Sequence, residues 1–292
     1  MTHQVDNRRA LGWALLITSV FFVIELTGGI LANSLALLSD AGHLLSDMGA
    51  LGLSYFAIWF ARRPATREKT YGYYRVEILA ALINGVVLAL VAIFIFIEAY
   101  KRLLSPQEVN TGLMMGVAVA GLFANILVAY ILHQGDYKEN LNVRSAFLHV
   151  LGDILGSLGA IAAGILIWLT GIYLFDTIIS IVIAIIILFS VYRLLNDTLH
   201  VLLEGTPKHL DYVEISQTIG DISGVQSIHD LHIWTVTSGF VCLSCHVVKD
   251  KREDPQEILL RINRVLKEGF GIEHTTVQVE TEDLSAEELN TH

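Results

Sequence analysis

Six apolar runs, at residues 11–31, 35–60, 78–97, 113–132, 143–169 and 177–195, are each long enough to cross a lipid bilayer as a helix. A hydrocarbon core takes about 20 apolar residues of helix, and helices satisfy their own backbone hydrogen bonds there. The first run is broken by Glu25, and two others carry a matching polar interruption. The second contains Ser39-Asp40-Ala41-Gly42-His43-Leu44-Leu45-Ser46-Asp47, and the fifth contains His149-Val150-Leu151-Gly152-Asp153. Both read His-x-x-x-Asp, a spacing that stacks the two side chains on one helix face.

Ionisable groups at the centre of a membrane cost about 2.5–3.5 kcal/mol each on insertion scales, so they face the protein interior and usually carry function. His43, Asp47, His149 and Asp153, brought together from two facing helices, make two imidazoles and two carboxylates. That set suits tetrahedral Zn²⁺ and disfavours Mg²⁺ and Ca²⁺, which want six or more oxygens. The plainer reading is that each pair only bonds neighbouring helices, and the recurrence of the spacing weakens it. Asp40 lies one turn before His43, either as a hydrogen-bond partner of a ligand imidazole or as a helix-packing group. Both remain open. Asn84 and Asn125 read as bonds between helices rather than as ligands.

Positive charge sets the orientation. Arg8, Arg9, Arg62, Arg63, Arg67, Lys69, Arg75, Lys138, Arg144 and Arg193 fall on one side of a six-span layout, against Lys101 and Arg102 on the other. The positive side is cytoplasmic, so both termini are expected in the cytoplasm. Met1 to Arg9 is short and polar, and the first run is long enough to stay as a span, so no cleavable signal is expected.

The chain is 53% hydrophobic and 16% charged. This is too apolar for an ordinary soluble protein, while the C-terminal part is too polar for membrane. The expectation is an all-α transmembrane domain at 1–206 and a cytoplasmic α+β domain at 207–292, its polar, acidic tail frayed from about 281. In the second domain a helix at 212–222, strands at 228–236 and 240–248, a helix at 255–269 and a strand at 274–279 give a ferredoxin-like α-β-β-α-β order. The net charge of −10, with acids concentrated after 203, argues against a nucleic-acid partner. Strand alternation places Cys242, Ser244 and His246 on one face and Leu243, Cys245 and Val247 on the other. The two sulfurs are thus split, as packing thiols rather than a zinc knuckle.

The stretches Leu37 to Asp47, Tyr71-Gly72-Tyr73-Tyr74-Arg75-Val76-Glu77, His149 to Asp153, Leu202-Leu203-Glu204-Gly205-Thr206-Pro207 and His229-Asp230-Leu231-His232-Ile233-Trp234 follow one another along almost the whole chain. In this order they resemble the cation diffusion facilitator family, in its zinc-transporting branch with bacterial zinc, cadmium and cobalt efflux members. The resemblance implies a homodimeric metal/proton antiporter with six transmembrane helices and a metal-binding cytoplasmic domain. Zn²⁺ is then both the transported substrate and a ligand of the cytoplasmic domain. The transport site carries over onto His43, Asp47, His149 and Asp153, with His43 where many relatives have Asp. Cytoplasmic ligands carry over onto His229, His246, His274 and Glu280, although the histidines also read as core-edge residues. A fifth ligand position falls near Pro255, which offers no side-chain donor. Arg75 and Glu204 match a charge interlock beneath the membrane domain, partly desolvated and holding the dimer. The loop after the second span has no His, so the resemblance implies no additional metal there. The link between the fourth and fifth spans has only His133, which fits a prokaryotic pattern.

Metal and protons compete for the same lone pairs, and His titrates near neutrality, so alternating access couples inward protons to outward metal. An enzyme is not expected: His-Glu-x-x-His is absent, and a four-ligand set leaves no position for water. The alternatives are a membrane metal sensor without flux and a transporter selective for Cd²⁺ or Co²⁺.

Overall fold

The computed structural model describes residues 2–61, 63–134, 141–237 and 239–283. Six long helices lead the chain: α1 (Thr2–Ala32), α2 (Leu35–Ala61), α3 (Val76–Leu104), α4 (Thr111–Gln134), α5 (Leu141–Thr170) and α6 (Leu174–Leu202). Among the described residues, α1, α3, α4, α5 and α6 are long and apolar enough to cross a membrane, and α2 contributes the shorter apolar stretch Leu35–Leu45. After them come α7 (Tyr212–Gly220), β1 (Val225–Thr237), β2 (Phe240–Lys249), α8 (Pro255–Phe270) and β3 (His274–Glu280). The chain forms two compact units, one of Met1–Tyr55 with Ile83–Leu195, the other of Phe56–Leu82 with Asn196–His292.

In the first unit one apolar cluster joins Ala36 and Leu37 of α2 to Met114, Val117 and Ala118 of α4 and Ala160, Ala163 and Ile167 of α5. A second joins Leu35 of α2 to Leu88, Ala92 and Ile95 of α3 and Ile183, Ala184 and Ile187 of α6. The start of α2 therefore packs on both sides. Small residues permit the close approaches that membrane helices need. A Cβ on Gly28 of α1, for example, would lie 2.6 Å from Val117 Cγ2.

A buried polar knot closes one end of this unit. Asn33 adopts φ 53° in the tight turn between α1 and α2, a conformation Asn tolerates better than most residues. The free amides at the start of α2 are satisfied by Asp176 of α6, which accepts from Ser34 Oγ at 2.6 Å, Leu35 N at 2.7 Å and Ala36 N at 3.2 Å. Arg102 of α3 donates to Asn33 O at 2.7 Å and Asn33 Oδ1 at 2.8 Å, and its Nη1 stands 3.6 Å from Asp176 Oδ2. Asn125 Nδ2 donates to Ser157 Oγ at 3.4 Å, a bond between α4 and α5.

The second unit holds a three-stranded sheet in the order β1-β2-β3. The strands β1 and β2 are antiparallel, while β2 and β3 are parallel and joined by the crossover helix α8. Leu231 and Ile233 of β1 and Leu243, Cys245 and Val247 of β2 meet Ile215 and Ile219 of α7 and Ile258, Ile262 and Leu266 of α8 in one core. The spacing of four in both helices is the stripe that a sheet face buries. Asp211 and Asp254 cap α7 and α8, Pro255 opens α8, and Gly271 ends it at φ 68°. Both cysteines are free and buried. Burial, reinforced by the nearby Asp230 charge, pushes the Cys245 thiol up to about 12.

Candidate metal centres

His43 of α2 and Asp153 of α5 meet across the first unit, with Nε2 3.6 Å from Oδ1. Asp153 is buried. Asp47 and His149 lie on the same two helices, each four residues from its partner in the motif. Their side chains lie outside the described residues. Asp40 is buried, and its Oδ1 would stand 3.1 Å from a Cβ placed on Gly156 of α5. Glu25 of α1 is buried against Asp40. A search for repeated ligand spacings passes over Glu25, and its only signal in the sequence is an acid alone in an apolar run.

In the second unit the sheet face opposite the core carries a second group. His229 of β1 pairs directly with His246 of β2. Their rings meet edge to face with centroids 5.2 Å apart. Glu280 of β3 pairs with Val248, which sets it diagonal to His246 on one face. His229 Nε2 is 3.5 Å from Glu280 Oε2, and His246 Nδ1 is 3.3 Å from Glu280 Oε1. The three residues can each offer a ligand atom within 4.8 Å of the others. Glu280 Oε2 is buried and has no hydrogen-bond partner among the described residues, as an acceptor reserved for a cation would be. Asp230, next to His229, takes φ 50° where two residues of β1 bulge, and its Oδ2 lies 3.9 Å from His246 Nε2.

His274 does not join this group. Parallel pairing sets it opposite Cys242, at the far end of β3 from Glu280. There its ring lies edge to face with Tyr71 at 5.8 Å and Phe240 at 5.6 Å. Of the four expected cytoplasmic ligands, three come together within one protomer. Pro255 is the first residue of α8 and offers no donor.

Arg75 Nη2 donates to Glu204 Oε1 at 2.8 Å. Within one protomer their side chains are 40% and 61% exposed. Glu204 occupies the left-handed position at φ 59° just past α6, and the Gly205 amide returns to His200 O at 2.9 Å. Glycine is the usual residue at such a helix end.

The family model for the cation efflux transmembrane domain matches residues 13–203, and that for the cation efflux protein cytoplasmic domain matches residues 207–282. A "Cadmium, cobalt and zinc/H(+)-K(+) antiporter" from Bacillus velezensis is 47% identical over 280 residues, covering 94% of this chain and 89% of that protein. "Zinc transporter ZitB" of Escherichia coli is 43% identical over 94% of this chain and 88% of its own length. "Metal cation efflux system protein CzcD" of Cupriavidus metallidurans is 43% identical over 95% of this chain and 88% of its own. With both halves matched in order and relatives above 40% identity along nearly its whole length, the chain belongs to the cation efflux family, the cation diffusion facilitators, in the zinc and metal branch.

Proposed function

We propose that this protein exports Zn²⁺ from the cytoplasm in exchange for protons. The observation that carries the reading is the meeting of His43 with Asp153 across two helices, each bearing the same His-x-x-x-Asp motif. Two imidazoles and two carboxylates complete a tetrahedral shell for Zn²⁺ while neutralising its charge in a water-poor interior. Relatives named for zinc, and for cadmium, cobalt and zinc together, support metal export as the activity.

Residues 1–206 are the transport domain in this reading, with six spans and both termini cytoplasmic, and the protein sits in the inner membrane as a homodimer. The cytoplasmic-domain match supports a dimer, in which Arg75 and Glu204 form a solvated charge interlock. Residues 207–292 form a ferredoxin-like cytoplasmic domain in which His229, His246 and Glu280 hold a further Zn²⁺. Three donors leave a fourth position for water or a group from the second protomer. The exchange follows from competition, because binding metal displaces protons from the ligands and protonation displaces metal.

The test is zinc uptake into inside-out vesicles loaded with a zinc dye. Uptake should need an acid interior and should stop in Asp153→Ala while that variant stays folded. Near-normal flux in Asp153→Ala, or a rate indifferent to collapse of the pH gradient, would sink the assignment. Metal binding without any flux in the wild type would instead identify a sensor.

A further inference from the structure

The stretch between α2 and α3 carries five basic residues, Arg62, Arg63, Arg67, Lys69 and Arg75, against one acid, Glu68. It leaves the helix that bears His43 on the side that the charge distribution makes cytoplasmic, so it meets the bilayer at its inner surface. The chain there is closed on itself. Thr66 N donates to Lys69 O at 3.1 Å, Lys69 N returns to Thr66 O at 3.2 Å, and Gly72, at φ 70°, donates to Lys69 O at 2.9 Å. The basic side chains thus stand on a turn that is already ordered, which lowers the entropy cost of binding.

Two of the cations lie on an aromatic pair. Phe60, at the end of α2, meets Tyr73 edge to face with ring centroids 5.2 Å apart. The guanidinium carbon of Arg63 is 4.2 Å from the centre of the Phe60 ring and 5.7 Å from that of Trp59, and Lys69 Nζ is 5.3 Å from the centre of Tyr73. A guanidinium resting on a ring keeps its N–H donors at its edge for a second, anionic partner. Arg63, Arg67 and Lys69 are exposed and enter no ion pair among the described residues, whereas Arg75 is taken by Glu204. Trp59 is 55% exposed beside them. Cations above an exposed indole, at the end of a span, complement a negative headgroup above its acyl chains.

We propose that Arg63, Arg67 and Lys69 form a binding site for an anionic phospholipid of the cytoplasmic leaflet, with the phosphodiester on the cations and an acyl chain along Trp59. The proposal goes beyond metal export and takes from that reading only the membrane layout. The ligand class follows from the groups present. A phosphodiester accepts paired N–H donors from Arg, and each cation near an anionic surface adds about fivefold to affinity. A zwitterionic lipid brings its own ammonium group, which offsets that gain. A soluble phosphate has no apolar part for Trp59 to cover.

Trp59 is the probe. In the full-length protein Trp13→Phe, Trp168→Phe and Trp234→Phe leave it as the sole tryptophan. Should that protein not fold, the difference between wild type and Trp59→Phe isolates the same signal. The protein is placed in phosphatidylcholine vesicles containing brominated phosphatidylglycerol or brominated phosphatidylcholine, whose bromines quench a neighbouring indole. The anionic lipid should reach half-quenching at a mole fraction at least about fivefold lower than the zwitterionic one. Replacing Arg63, Arg67 and Lys69 together by Gln should bring the two lipids to parity. Arg63→Lys keeps the net charge but loses the planar fork, and should lose at least about half of the preference. Arg193→Gln removes an exposed charge on α6, outside the loop, and should leave the preference intact. Parity in the starting protein overturns the proposal. So does a preference unchanged in folded Arg63→Lys or lost in Arg193→Gln, either of which would mean diffuse surface charge. Displacement by millimolar glycerol phosphate also overturns it, as the mark of a free-anion site. A protein that keeps the preference yet moves no zinc would overturn the transport reading and leave the lipid site standing.

Discussion

Asp176 accepts the Leu35 amide at 2.7 Å, so the first turn of α2 is capped by a carboxylate that α6 supplies. The same carboxylate faces Arg102 of α3, which ties down the turn at Asn33. The helix that presents His43 is thus held at its start by two other helices as well as by its own flanking Ser34, whose Oγ accepts the Leu37 amide at 3.3 Å.

Removing this cap should be costly. Asp176→Ala leaves the Leu35 and Ala36 amides without their acceptor and Arg102 buried beside no carboxylate at that position. A loss of about 3–5 kcal/mol is expected. Asp176→Asn keeps an acceptor and should lose less. Thermal unfolding of the detergent-solubilised protein checks this, and equal midpoints for Asp176→Ala and wild type would show that the cap contributes nothing.

His43→Asp replaces an imidazole facing Asp153 with a third oxygen donor set. A site richer in carboxylate accepts harder or larger ions, so transport of Cd²⁺ or Fe²⁺ should rise relative to Zn²⁺. Competition flux with paired metals measures the ranking. An unchanged order would locate selectivity elsewhere.

For Arg75 and Glu204, solvent exposure in the protomer limits the coupling to about 0.2–1 kcal/mol, with clear weakening in high salt. A double-mutant cycle on dimer stability measures it. Glu204→Gly separates side chain from backbone, because glycine relieves the left-handed position at φ 59°. That variant should unfold at a higher temperature than Glu204→Ala while losing the ion pair just as fully. A coupling well above 1 kcal/mol would mean that a second protomer desolvates the pair.

Cys245 should resist alkylation in the folded protein. Burial keeps its thiol protonated up to about 12, well above the value of 9.0 for a free thiol. Its contribution to stability is complete below about pH 9 and is lost as pH rises towards 12, since the unfolded thiol ionises first. Cys245→Ala should therefore lose less stability than wild type over that alkaline window. Rapid labelling of native Cys245 at pH 8 would contradict the burial that underlies both expectations.

Much of the helical layout was legible because hydrocarbon imposes one rule on every span. The run at 113–132 became Thr111–Gln134, and that at 78–97 became Val76–Leu104. Hydropathy ends the sixth run at 195, yet α6 continues to Leu202 through Asn196 and Asp197. Loss of hydropathy marks where apolar surroundings end, and a helix can continue beyond that point. Tertiary relationships were less accessible. Asp176 reads locally as an acid at the start of its own helix, while its hydrogen bonds go to another. His274 and Glu280 lie six residues apart on one strand, and only the parallel register decides which of them reaches His246. The bulge at Asp230 breaks the two-residue alternation of β1, so counting along that strand cannot tell which histidines share a face.

The parallel pairing of β3 has a consequence for any metal that His229, His246 and Glu280 would hold. Glu280 stands beside His246 only after α8 has crossed over and β3 has docked with Val248 opposite Glu280. A slip of one residue would turn the carboxylate to the other face of the sheet. A bound ion therefore lends its binding free energy to one register alone and withholds it from every arrangement in which the last strand is loose or misaligned. Zinc at this site would act as a proofreader of the sheet, rewarding the finished crossover.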